Sequence, residues 1–125
     1  MNNKPIIGYI QHWLDTVCKH NARDIVNLYA SDGVLLGTVA ENIKIGQSEI
    51  IQYFNMFVTK QPCGEIDTIF AQDYGNIAVV DGTYTFQLNN DEGGRDSVLA
   101  RFTFVLKNVG GGWKIATHHS SVNPD

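Results

Sequence analysis

The densest group of chemically able side chains lies near the end of the sequence, where His118-His119-Ser120-Ser121 closes an otherwise apolar stretch. Histidine titrates near neutral pH and can serve as a general base. The two histidines are neighbours on a segment that reads as a strand, so their side chains leave on opposite faces. Only one of them can face a hollow, and a two-histidine metal face does not form. No His-x-His pattern is present either, so no metal is expected. Asp81 interrupts the apolar run Ile77-Ala-Val-Val80. A buried carboxylate is costly unless paired. It is therefore an acid or base in a hollow, a cross-strand partner of Arg101, or the start of a bend with Gly82. Arg101 sits mid-strand with Phe102 and Phe104 facing the other way, which places it in an interface unless a bulge turns it inward. Tyr53, Tyr84 and Ser120 offer hydroxyls to a pocket, or fill the core with a satisfied polar tip. No catalytic triad, phosphate loop or carboxylate pair at diagnostic spacing appears, and no cofactor is expected.

These residues must be positioned by two long strands. The first runs from Ser97 to Asn108, with Val98, Ala100, Phe102, Phe104 and Leu106 at every second position. That period marks a strand with one buried face. Val109-Gly-Gly-Gly112 supplies the turn, and Trp113 to Val122 forms the returning strand. Upstream, Ile66–Ala71 and Ile77–Leu88 read as two more strands around the turn Asp73-Tyr74-Gly75-Asn76. The N-terminal half reads as helices. Ile6, Ile10, Trp13, Leu14 and Val17 make one stripe over about Pro5–Lys19. A shorter helix is expected over Ala22–Ala30, stopped by Ser31-Asp32-Gly33. A third follows Ser48, with Ile50, Phe54 and Phe57 on one face. Val34-Leu35-Leu36 is a short strand, and Thr38–Ile45 is a loop or a small hairpin. The expectation is a single α+β domain over residues 1–125, three helices packed on a curved antiparallel sheet that encloses a hollow for a small organic ligand.

The chain has 125 residues, 43% of them hydrophobic, and a formal net charge of −4. A core of that size needs no disulfide or metal. Nine basic residues spread along the chain argue against a nucleic-acid or anionic-membrane surface. Cys18 and Cys63 form no close motif, so two free thiols in a reduced, cytoplasmic protein are expected. No segment approaches the roughly 18 apolar residues of a membrane span. The face carrying Leu99, Arg101, Thr103 and Val105 is not one the helices should cover. Its burial calls for a second copy, so a homodimer is expected.

Three segments carry a resemblance: Ile25-Val-Asn-Leu-Tyr-Ala-Ser-Asp-Gly-Val-Leu-Leu36, Ile45-Gly-Gln-Ser-Glu-Ile-Ile-Gln-Tyr-Phe54 and Gly112-Trp-Lys-Ile-Ala-Thr-His-His-Ser-Ser121. Together they resemble the nuclear transport factor 2-like (SnoaL-like, cystatin-like) superfamily. The last is similar to the association domain of calcium/calmodulin-dependent protein kinase II. The resemblance implies a cone-shaped α+β domain that dimerises or forms larger rings. It also implies a ligand-binding or assembly module, with a cofactor-free isomerase, cyclase or dehydratase as the alternative. By strand parity with those relatives, His118 faces the hollow and His119 a partner or the outer face. The association domain places arginines in its pocket; two of those positions are here Phe104 and Ser120. An aromatic of its third helix matches Tyr53. The ligand-lining set is thus Tyr53, Tyr84, Phe104, His118 and Ser120, the interface set Arg101, Val105 and His119, and the catalytic candidates His118 and Asp81.

Overall fold

The computed structural model describes residues 3–124. Helix α1 (Lys4–Val17) buries Ile6, Ile10, Trp13, Leu14 and Val17, the stripe that the sequence spacing draws. Helix α2 (Ala22–Val26) is a short turn capped by Asn21, whose side chain accepts a hydrogen bond from the Asp24 amide at 3.1 Å. It stops four residues short of the expected end, because Tyr29 and Ala30 already belong to strand β1 (Tyr29–Leu36). The sheet claims them: the Ile115 amide donates to the Leu28 carbonyl at 2.9 Å, and Tyr29 lies opposite Ile115. Ser31-Asp32-Gly33 is therefore not a helix stop but an irregularity inside β1, where the register shifts between Tyr29 and Val34. Glycine fits there because a Cβ on Gly33 would lie 3.0 Å from the Ala30 carbonyl oxygen.

Residues 37–43 form a loop, and β2 (Lys44–Ile45) returns antiparallel to β1, so this segment is a small hairpin. Helix α3 (Gln47–Phe57) and one 3-10 turn (Val58–Lys60) follow. The Glu49 side chain accepts from the Ile45 amide at 2.9 Å, and Gln47 donates to the Tyr29 carbonyl at 2.8 Å, which fastens α3 to β1. Strands β3 (Cys63–Asp73), β4 (Ile77–Asn89), β5 (Arg95–Val109) and β6 (Gly112–Val122) make the expected antiparallel meander. The β5–β6 turn holds Gly110 and Gly111 at φ of 60° and 89°, a region where a Cβ is strained. The full sheet has the order β2-β1-β6-β5-β4-β3, with β1 running parallel to β6 as the one departure from antiparallel pairing.

Three helices on one face of a six-stranded, unclosed sheet give the α+β arrangement. The interior is rich in rings. Trp13 stacks on Tyr84 at a centroid distance of 5.9 Å and meets Phe104 edge-on at 5.1 Å. Along β4 the residues Ala78, Val80, Tyr84, Phe86 and Leu88 point inward.

The cysteines correct the sequence reading. Cys18 and Cys63 are joined in a disulfide, with Cα atoms 4.4 Å apart. Cys18 follows α1 directly and Cys63 opens β3, so the docking of α1 along β3 brings together thiols 45 residues apart. The pairing also removes the ground on which a reducing compartment was expected. Among the described residues no helix is long and apolar enough to cross a membrane.

Candidate functional site

The inner face of the sheet and α3 enclose one cavity with walls mostly of ring and aliphatic carbon. Trp13 comes from α1, Phe54 and Phe57 from α3, and Phe86 and Leu88 from β4. Its mouth is edged by Gly37, Thr38 and Val39, which follow β1. The space between the walls and across the mouth is about 460 Å³, yet the enclosed volume is only about 30 Å³. The hollow is therefore a narrow slot.

Four of the five residues expected to line the hollow do so: Tyr53, Tyr84, His118 and Ser120. Phe104 does not; it lies behind His118, their rings stacked at 3.9 Å and 13°. The reason is the register of β5, where Phe104 is the direct neighbour of His118 and is fully covered by it. His118 itself is 2% exposed and His119 is exposed. A bulge decides how β6 reaches this arrangement. Leu106 pairs with Ile115 but Val105 with Thr117, so Ile115 and His118 both face inward although they are three residues apart.

His118 is held at both ring nitrogens. Nδ1 lies 2.8 Å from the Tyr29 hydroxyl and Nε2 lies 3.2 Å from the Tyr84 hydroxyl. Tyr29 also accepts from Trp13 Nε1 at 3.2 Å. Tyr84 donates to Ser120 Oγ at 2.7 Å, and Ser120 meets Thr38 Oγ1 at 2.5 Å. Six residues from four elements and the mouth loop thus form one unbroken chain of polar contacts through the core. Burial pushes His118 down to about 3, with the neighbouring His119 adding to the effect. Burial pushes the Tyr29 and Tyr84 hydroxyls up, and Tyr53 to about 12. The whole chain is uncharged at neutral pH. Tyr53 lies flat against Gly37, where a Cβ would collide with its ring, and its hydroxyl accepts from the Val39 amide.

Asp81 is not part of this site. On β4 the even-numbered residues turn inward, so Asp81 points to the outer face, where it is exposed and accepts from the Thr103 hydroxyl. It forms no ion pair with Arg101, which reaches Ser121 at 3.5 Å instead. Arg101, Val105 and His119, the expected interface residues, share that outer face: Val105 pairs with Thr117, Thr103 with His119 and Arg101 with Ser121. Around them Leu99 is 42% exposed, and Val79 and Val105 are half-buried. Among the described residues no group of three or more His, Cys, Asp or Glu is placed to hold a metal.

Sequence reading missed Tyr29 and Thr38. Tyr29 falls within the helix expected over Ala22–Ala30, and Thr38 opens the segment expected as a loop or a small hairpin. Neither carries a local signal, since their partners lie 89 and 82 residues away.

Comparison with known proteins adds the following. The family model of the calcium/calmodulin dependent protein kinase II association domain matches residues 2–124. A crystal structure from Xanthomonas campestris, described as such an association domain, superimposes with a TM-score of 0.95 at 35% identity, covering 100% of this chain and 90% of that one. A ketosteroid isomerase-like protein from Erwinia carotovora atroseptica gives 0.83 at 17% identity, covering 100% of both chains. An NTF2-like protein with a cystatin-like fold from Novosphingobium aromaticivorans gives 0.80 at 12%, covering 96% of this chain and 80% of that one. The last two share the fold alone. Among curated proteins no significant match was found.

Proposed function

The chain belongs to the calcium/calmodulin-dependent protein kinase II association-domain family, and from that premise we propose that it is an oligomerising module that binds a small organic molecule between sheet and helices. The observation that carries this reading is the state of His118. Its two nitrogens are both engaged, and burial holds its pKa near 3. A general base works best with a pKa near the operating pH. A ring so weakly basic, with no carboxylate among the described residues that line the cavity, is suited to shaping a pocket. The alternative of a cofactor-free isomerase, cyclase or dehydratase has less support, because the second candidate, Asp81, lies on the opposite face of the sheet.

The outer face supports the other half of the proposal. Val79 on β4 and Leu99 and Val105 on β5 lie on the face turned away from the helices, and a second copy would cover them. Arg101 and His119 flank this patch and are polar contacts for the partner. The tests are sedimentation at micromolar concentration and a fragment titration followed by ring signals of Trp13 and His118. Self-association together with saturable shifts at those rings supports the module. A monomer whose cavity signals never move, but which turns over a substrate, overturns it.

A further inference from the structure

We propose that the cavity takes an uncharged, single-ring ligand carrying a hydrogen-bond acceptor, which receives the one proton left over at the end of the polar chain, that of Thr38. This rests on the reading of the cavity as a ligand site and narrows it to a chemical class.

The direction of the chain follows from counting donors. An indole N–H can only donate, so Trp13 gives its proton to the Tyr29 oxygen. Tyr29 has one proton of its own and one remaining polar neighbour, His118 Nδ1, which must accept it. The imidazole proton therefore resides on Nε2 and goes to the Tyr84 oxygen. Tyr84 donates to Ser120, and Ser120 to Thr38. In the reverse direction Trp13 and His118 would both donate to Tyr29 and strand its phenolic proton in the core, an unsatisfied donor costing about 1–3 kcal/mol. Trp13 thus fixes the polarity as far as Ser120, and burial decides the last link: Ser120 is 7% exposed and Thr38 only half-buried, so the proton left over is best placed on Thr38. Among the described residues the Thr38 proton has no acceptor, and Thr38 lies at the cavity mouth. The chain presents a donor, so the ligand must supply an acceptor.

Charge and size set the rest. No Asp, Glu, Lys or Arg is among the described residues that line the cavity. An ion placed there would lose its hydration without gaining a counter-charge. The enclosed volume, about 30 Å³, is well below the roughly 150 Å³ of apolar cavities known to accept benzene, while the space between the walls and across the mouth comes to about 460 Å³. A guest no larger than one ring, seated across the mouth beside Thr38, is the size this allows. Trp13, Phe54, Phe57 and Phe86 offer ring edges and faces to such a guest.

Benzamide, benzoate and toluene separate the possibilities, because they share a ring and differ in charge and acceptor. Binding is measured by calorimetry at pH 7.5 and located by NMR shifts at Thr38 and His118. Benzamide is expected to bind at least tenfold more tightly than benzoate. Thr38→Val should weaken benzamide roughly fivefold and leave toluene unchanged. Tighter binding of benzoate, binding of toluene alone, or an equal loss of toluene and benzamide in Thr38→Val overturns the assigned ligand class while leaving a ligand site. Silence of all three probes overturns both the class and the site.

Discussion

A histidine that never carries a charge leaves a trace in the pH dependence of stability. The folded His118 titrates near 3 and an unfolded one near 6.5. Between those values the unfolded chain holds a proton that the folded chain refuses, so this contribution is complete above pH 6.5 and is lost as pH falls. Urea unfolding at pH 7 and pH 5 should show a loss of about 2 kcal/mol at the lower pH from this residue. In NMR its ring should keep the neutral Nε2–H form from pH 5 to 8; a midpoint near 6.5 would contradict the geometry. Tyr84→Phe removes both the acceptor for Nε2–H and the donor to Ser120. It should lower stability by about 1–3 kcal/mol, read from the urea midpoint. At this scale the sequence showed less than it did elsewhere. His118, Ser120, Tyr53 and Tyr84 have residue types that draw attention, and the structure brings them to one cavity. Phe104 was drawn in with them by alignment, yet a neighbour in the sheet hides it. Tyr29 and Thr38 become polar partners only after distant strands meet.

Elements were legible where one pattern ruled. The stripe of α1 and the alternation of β4 and β5 each answer to a single buried face, and both are present as expected. The pattern failed at residues 27–33, where helical spacing and strand pairing compete and the backbone of β6 decides. It also said nothing of Cys18 and Cys63, which lie in separate elements and meet only through packing. Their bond closes a loop with a sequence separation of 45, for which chain entropy gives about 4 kcal/mol as an upper range. Reduction, or the pair Cys18→Ser with Cys63→Ser, should therefore lower the melting temperature by roughly 10 °C while the fold persists. An unchanged melting point on full reduction would show that the corner between α1 and β3 is held by packing alone.

For the molecule as a whole, the expected arrangement depends on a second copy. Val105→Asp sets a carboxylate in the middle of the outer face without touching the core. A dimer dispersed by that change, with circular dichroism retained, is the expected result in sedimentation; a wild-type monomer of 13.9 kDa would refute the assembly. The position of β6 has a separate consequence for how the protein is made. This strand lies inside the sheet, between β1 and β5, yet it is the last of the six strands in chain order to be made. Until it arrives, Tyr29 has no partner 89 residues downstream, β1 has no parallel neighbour, and the cavity has no back wall. The nascent chain must carry its helices and its β3–β5 hairpins with their apolar faces open, and the closing contacts span most of its length. Such long-range closure is slow. We expect refolding to show the cavity rings becoming ordered only in the final phase, together with the whole sheet, and nascent chains halted before Ile115 to be prone to aggregation.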